Sequence, residues 1–176
     1  MGPGVPLPID TERLIIRPFD AEADVEAATS VYCDPEVMRY VAGGPLADEG
    51  AVRKMLERYV QAHQDHGFSS WAVVERETER VAGDAGFGIF EPTQEIELGY
   101  TLARAFWGRG YAVEAAAACL RAGLACLAAP RIIAVVDAAN DASQRVAERI
   151  GMVRVDTIDL HGRPHVLFAA DATSSA

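Results

Sequence analysis

Apolar and polar positions follow three different periods along this chain, and each change of period marks an element. Residues 14–19, after Thr11-Glu12-Arg13, are rich in β-favouring types, and Pro18 with Asp20 stops the run, so a first strand is expected over 13–17. Val25, Ala28, Thr29 and Tyr32 then recur at helical spacing. Asp34-Pro35 offers a second N-cap followed by proline at the first helical position, which predicts two short helices. Gly43-Gly44-Pro45 breaks the chain. Beyond it Val52, Met55, Leu56, Tyr59, Val60 and His63 form the stripe of an amphipathic helix.

After His66-Gly67 the period shortens. Residues 71–75, 80–90 and 95–102 read as β-type runs separated by charged or proline-containing turns, an antiparallel meander. Residues 111–128 are Ala- and Leu-rich, with Val113, Ala117, Leu120, Leu124 and Leu127 on one stripe, and Pro130 ends that helix. A β-branched run at 131–136 follows, then a helix at 142–150 closed by Gly151. Strands at 153–160 and 165–168 flank His161-Gly162-Arg163-Pro164. Residues 169–176 are expected to fray. No internal repeat or linker interrupts the order, so the expected organisation is an N-terminal extension (1–10), one domain (11–170) and a disordered tail (171–176).

Length and charge narrow the function. The 176 residues, half of them apolar, suit one compact domain with its own core. Sixteen Lys and Arg against 26 Asp and Glu leave a net charge of −10, which repels phosphate backbones and anionic headgroups and argues against nucleic acid or a membrane as partner. Cys33, Cys119 and Cys126 show no CxxC spacing, which fits a reducing, cytoplasmic location and no zinc site. The start of the chain has no signal-peptide pattern, and no run reaches membrane-spanning length. His63, His66, His161 and His165 have no ligand spacing, so no metal is expected.

The chemistry gathers at 97–114, where Glu97-Leu98-Gly99-Tyr100 leads through Phe106-Trp107-Gly108-Arg109-Gly110-Tyr111-Ala112 into the long helix. Glycines ahead of a helix let several backbone N–H groups converge on an anion, and the helix dipole adds to the pull, an arrangement that suits a pyrophosphate. The same glycines also suit a tight turn. No GxxxxGK[ST] occurs, and Gly83, Gly86 and Gly88 have the wrong spacing for a dinucleotide fingerprint.

The segment from Trp107 to Ala112 resembles the Q/R-x-x-G-x-G/A acyl-CoA motif of GNAT acetyltransferases, and most resembles their RimJ/RimL-like branch of ribosomal-protein N-acetyltransferases. Residues 11–18, TERLIIRP, the ELGY at 97–100, and Asn140-Asp141-Ala142-Ser143 running to Gly151-Met152 carry the same resemblance, in the family's order. It implies an α/β (α+β) GNAT fold: a mixed, mostly antiparallel sheet of about seven strands, flanked by helices and splayed between strands 4 and 5. It also implies acetyl-CoA as co-substrate. Tyr100 and Leu102 would offer a strand edge to the pantetheine, Gly108, Arg109, Gly110, Tyr111 and Ala112 would hold the pyrophosphate by main-chain N–H groups, and Asn140 would reach the pantetheine. Trp107 stands where many relatives carry Gln or Arg. The resemblance further implies transfer to a protein or peptide N-terminal α-amine and allows a homodimer paired through the C-terminal strands. A small cationic amine is the alternative acceptor, and a non-catalytic acyl-CoA-binding module the alternative function.

Amine acetylation needs a base to free the ammonium and a donor for the leaving thiolate. Glu97 lies on the strand beside the presumed thioester and is the candidate base; it also reads as a strand carboxylate paired with an Arg. The family's usual acid, a Tyr seven residues beyond the Asn, is Ala147 here. Ser143 matches the branch's pattern and is the candidate acid and a cofactor contact; it also reads as a hydroxyl satisfying the helix N-terminus. Glu114 reads as a dipole-compensating or Arg-pairing residue. Trp71, Phe87 and Phe90 read as sheet core or acceptor lining.

Overall fold

The computed structural model describes residues 4–172. Eight strands form one sheet: β1 (Ile9–Asp10), β2 (Leu14–Arg17), β3 (Ser70–Glu75), β4 (Val81–Phe90), β5 (Glu95–Leu102), β6 (Arg131–Asp137), β7 (Val153–Leu160) and β8 (Arg163–Asp171). Their spatial order is β1-β2-β3-β4-β5-β6-β8-β7. Among the described residues four α-helices flank the sheet: α1 (Val25–Tyr32), α2 (Glu49–His66), α3 (Tyr111–Cys126) and α4 (Asp141–Arg149). The second short helix expected after Asp34 is a 3-10 turn, Val37–Tyr40.

Strand and helix starts follow the local chemistry. Asp48 caps α2 by accepting from the Ala51 N–H, and Gly67 ends it at φ 76°, where a residue with a Cβ is strained. β1 precedes the first strand expected from sequence: Ile9 is in register with Ile16, and Val5, buried, donates its N–H to the Gly67 carbonyl. Two residues are too few to show a period.

Two expectations are corrected. The buried face of α3 is not centred on the stripe Val113, Ala117, Leu120, Leu124 and Leu127; only Leu120 of that set is fully buried, and Leu124 and Leu127 pack at the margin of the core. The helix instead turns its small side chains, Ala115, Ala116, Ala118, Cys119 and Gly123, toward the sheet. A Cβ on Gly123 would stand 2.4 Å from Phe87 Cζ and 2.8 Å from Ile132 Cδ1, so the helix approaches the sheet more closely than bulky residues permit. The C-terminus does not fray at Ala169: residues 169–171 belong to β8, with Ile133 opposite Ala169 and Arg131 opposite Asp171, and Ala172 donates to the Pro130 carbonyl. The rest of that expected tail, 173–176, lies outside the described residues.

All neighbouring strands pair antiparallel except β5 and β6, which run parallel and share a single register pair, Glu97 with Ile133. This is the parted pair implied as strands 4 and 5, β1 having shifted the count by one. Side chains on β5 alternate faces. Thr101 joins Asp84, Ser70, Tyr32 of α1 and Tyr59 of α2 in a buried polar cluster, which assigns Glu97 and Thr101 to the face covered by α1 and α2. Burial pushes the Asp84 carboxyl up to about 6 there. Tyr100 occupies the other face, where its hydroxyl meets α4. Trp71 and Phe87 are buried in the core, their rings edge to face. No helix of the described residues is long and apolar enough to cross a membrane.

Candidate active site

The loop ahead of α3 is shaped for an anion. Gly108 and Gly110 sit at φ 73° and 79°, the left-handed region that glycine occupies at little cost. Among the described residues, no N–H from Gly108 to Val113 donates to a protein acceptor. Such consecutive donors at the start of a 16-residue helix fit a pyrophosphate.

Side chains distant in sequence fix this loop. Arg13 donates from Nη1 to the Arg109 carbonyl at 2.8 Å, lies over the Tyr111 ring at 4.8 Å and pairs with Glu114. Glu114 also accepts from the Thr11 hydroxyl at 2.7 Å and the Arg13 N–H at 2.8 Å. Burial would raise the Glu114 carboxyl, but these donors hold it below the usual range. Below the loop, Glu75 accepts from Tyr111 Oη at 2.6 Å, from Arg109 Nη1 at 2.9 Å and from the Thr78 hydroxyl. The Thr78 and Tyr111 hydrogen bonds, ahead of the Arg109 charge, keep the Glu75 carboxyl low. Glu114 is thus Arg-paired, one of the two roles its place in the sequence allows. Thr11, Arg13 and Glu75 carry no sequence signal as loop supports; the TERL segment stands out there only as a landmark.

The parted strands supply the second part of the site. Ala103 donates its N–H to the Ala82 carbonyl, so by the alternation of an antiparallel ladder the main-chain groups of Tyr100 and Leu102 aim away from β4, toward β6. β6 meets β5 only near Glu97. Trp107, half exposed, folds back and donates from Nε1 to the Leu102 carbonyl at 2.7 Å. The indole therefore tethers the loop to the strand end, and that carbonyl keeps one lone pair.

Tyr100, Asn140 and Ser143 come together across the gap. Asn140 caps α4, its Oδ1 accepting from the Ser143 N–H at 3.1 Å. The Ser143 hydroxyl is consequently not the cap; it lies 2.8 Å from Tyr100 Oη, which also donates to the Ser143 carbonyl at 3.0 Å. Burial pushes the Tyr100 phenol up to about 12, with the Ser143 hydrogen bond acting the other way. On the opposite face Glu97 forms no ion pair with Lys or Arg among the described residues. Burial pushes its carboxyl up, against the pull of the Val135 main-chain N–H and His165. Cys119 is core, its thiol pushed up to about 12 by burial, and no cluster of three metal-ligating side chains occurs among the described residues.

A sheet joined at one register pair and open beside it, with a run of unpaired N–H groups next to the gap, is the arrangement that an acyl-CoA-type transferase site needs. Comparison with known proteins agrees. The sequence profile of the acetyltransferase (GNAT) domain matches residues 13–153. The uncharacterized protein YkkB of Bacillus subtilis strain 168 is 32% identical over 160 residues, 90% of this chain and 92% of its own length. The uncharacterized N-acetyltransferase p20 of Bacillus licheniformis is 31% identical, over 76% of this chain and 75% of its own. Among solved structures, a GNAT-family acetyltransferase from Bacillus anthracis superposes with a TM-score of 0.82 at 27% identity, over 96% of this chain and 100% of that one. RimL, the ribosomal L7/L12 α-N-protein acetyltransferase in complex with coenzyme A, gives a TM-score of 0.80 at 19% identity over 94% and 98%, a likeness of fold. This chain belongs to the GNAT acetyltransferase family and is an N-acetyltransferase; enzymes of this family use acetyl-CoA.

Proposed function

We propose that this enzyme transfers the acetyl group of acetyl-CoA to a protein or peptide N-terminal α-amine, by direct attack in a ternary complex, as in the RimJ/RimL-like branch. The observation that carries the acetyl-CoA part is the run of N–H groups from Gly108 to Val113 left unpaired beside the parted strands. The pyrophosphate would lie on those groups, and the peptide-like pantetheine would complete the edge of β5 at Tyr100 and Leu102. The bound thioester supplies the electrophilic carbonyl carbon. Glu97, partly buried and without a Lys or Arg ion pair among the described residues, takes the proton that the acceptor ammonium must lose. The Tyr100 and Ser143 hydroxyls, on the other face, are the donors available to the leaving sulfur.

Support for the α-amine comes from the TERL, ELGY and Asn140–Ser143 landmarks, and the net charge of −10 favours a cationic acceptor. The test is thiol release from acetyl-CoA with a panel of N-terminal peptides, polyamines, aminoglycosides and amino acids. Peptides should be turned over with the highest kcat/KM. Turnover of small amines alone would overturn the acceptor, and tight CoA binding with no turnover of any amine would overturn catalysis.

A further inference from the structure

We infer that the phenol of Tyr100, positioned by Ser143, is the group that protonates the departing thiolate, filling from strand β5 the role left vacant on α4. The inference rests on the proposed acetyl transfer and names the donor at that site.

Three observations carry it. First, Ala147, the position seven residues after Asn140, is 1% exposed and packs in the core, so α4 presents no proton donor from that position. Second, the hydroxyl that does meet the N-terminal turn of α4 arrives from the sheet: Tyr100 Oη lies 2.8 Å from Ser143 Oγ and 3.0 Å from the Ser143 carbonyl. With the Asn140 side chain occupied by the Ser143 N–H, the serine hydroxyl is free to give its proton to Tyr100 Oη. Third, the two faces of β5 separate the two proton transfers. Glu97 lies on the α1/α2 face and Tyr100 on the α3/α4 face, with the parted β5–β6 edge between them. An acyl carbon held in that edge is then attacked from one face and sheds its leaving group toward the other.

The step balances. The acceptor ammonium gives one proton to Glu97, and the free amine forms the C–N bond. The C–S bond breaks with its electron pair on sulfur, and sulfur takes the Tyr100 proton. The Ser143 hydroxyl stabilises the phenolate until the second proton shed by nitrogen, carried by water, restores it. Of the two hydroxyls the phenol is the stronger acid, so it transfers the proton and the serine orients it.

The test compares CoA with desulfo-CoA, which lacks the sulfur, by calorimetry at a pH above that of thiol ionisation. A phenol donating to the thiolate makes wild-type protein prefer CoA by about 10-fold or more. Tyr100→Phe should abolish that preference, while Ser143→Ala should retain most of it. On the amine turned over fastest, Tyr100→Phe should lower kcat by roughly 100-fold or more with acetyl-CoA KM little changed, and Ser143→Ala by about 10-fold or less. Wild-type protein that binds both ligands equally overturns the proposal without any variant. Loss of the preference in Ser143→Ala but not in Tyr100→Phe overturns it in favour of the serine. Wild-type protein that binds neither ligand overturns the acetyl-CoA assignment itself.

Discussion

The phosphate end and the reacting end of the cleft follow opposite plans. At the proposed phosphate end the main chain from Gly108 to Val113 is left unpaired, while Arg13, Glu75, Tyr111 and Glu114 hold that main chain in place. At the proposed reacting end side chains would carry the chemistry, and the main chain delivers Glu97 and Tyr100 to opposite faces of one strand. Substitutions should therefore act on affinity at one end and on rate at the other.

The largest expected effect is at the reacting end. Glu97→Gln should lower kcat by roughly 100- to 10,000-fold with CoA affinity nearly unchanged. In the wild type the rate should rise through a pKa above that of an ordinary glutamate, and this acidic limb should flatten in the variant; an intact limb would assign the base elsewhere. Gly110→Val comes next. At φ 79°, where a Cβ would also stand 3.4 Å from Arg13 Nη2, a β-branched residue strains the loop. CoA affinity should fall about 10- to 100-fold with the circular dichroism spectrum retained. Unchanged affinity would remove the main chain from phosphate binding.

Arg13→Met should raise the acetyl-CoA KM by about 10-fold and leave kcat close to wild type, because it releases the Arg109 carbonyl without touching the reacting end. A fall in kcat at constant KM would break the division between the two ends. The smallest effect is on stability. Glu97 has a raised pKa when folded, so the folded state keeps its proton to higher pH than the unfolded chain does. Stability then falls as pH rises from the ordinary glutamate value through the raised one. Glu97→Gln removes that fall, and its melting temperature at neutral pH should exceed that of wild type by a few degrees at most; an unchanged or lower value would contradict the burial of the carboxylate.

The same division governs what was legible in the sequence. Gly108 and Gly110 announce a left-handed loop by their identity, and the capped, periodic helices and the meander are local patterns. The supports of the loop are not local: Arg13 is 96 residues from Arg109, Glu75 is 34 from it, and Tyr100 is 43 from Ser143. No spacing rule reaches that far, so Thr11, Arg13 and Glu75 give no sign of their role and Tyr100 is legible for its backbone alone. The stripe on α3 misleads for a different reason. Hydrophobicity ranks Leu124 and Leu127 above alanine and glycine, but close approach to Phe87 selects for size, and Gly123 wins that contest. Ala169–Asp171 resembles a tail because the partner strand that orders these residues begins at Arg131.

The single register pair between Glu97 and Ile133 also makes the sheet two blades stitched at one point, β1 to β5 on one side and β6 to β8 on the other. A ligand that lies along the open part of that seam completes hydrogen bonds the protein leaves undone, so it acts as a removable ninth strand. Occupancy should then register as cohesion between the blades. The Tyr100 and Leu102 amides should exchange with solvent fast in the free protein and slowly with CoA bound, and CoA at 100 times its Kd should stabilise the native state by about 2.7 kcal/mol.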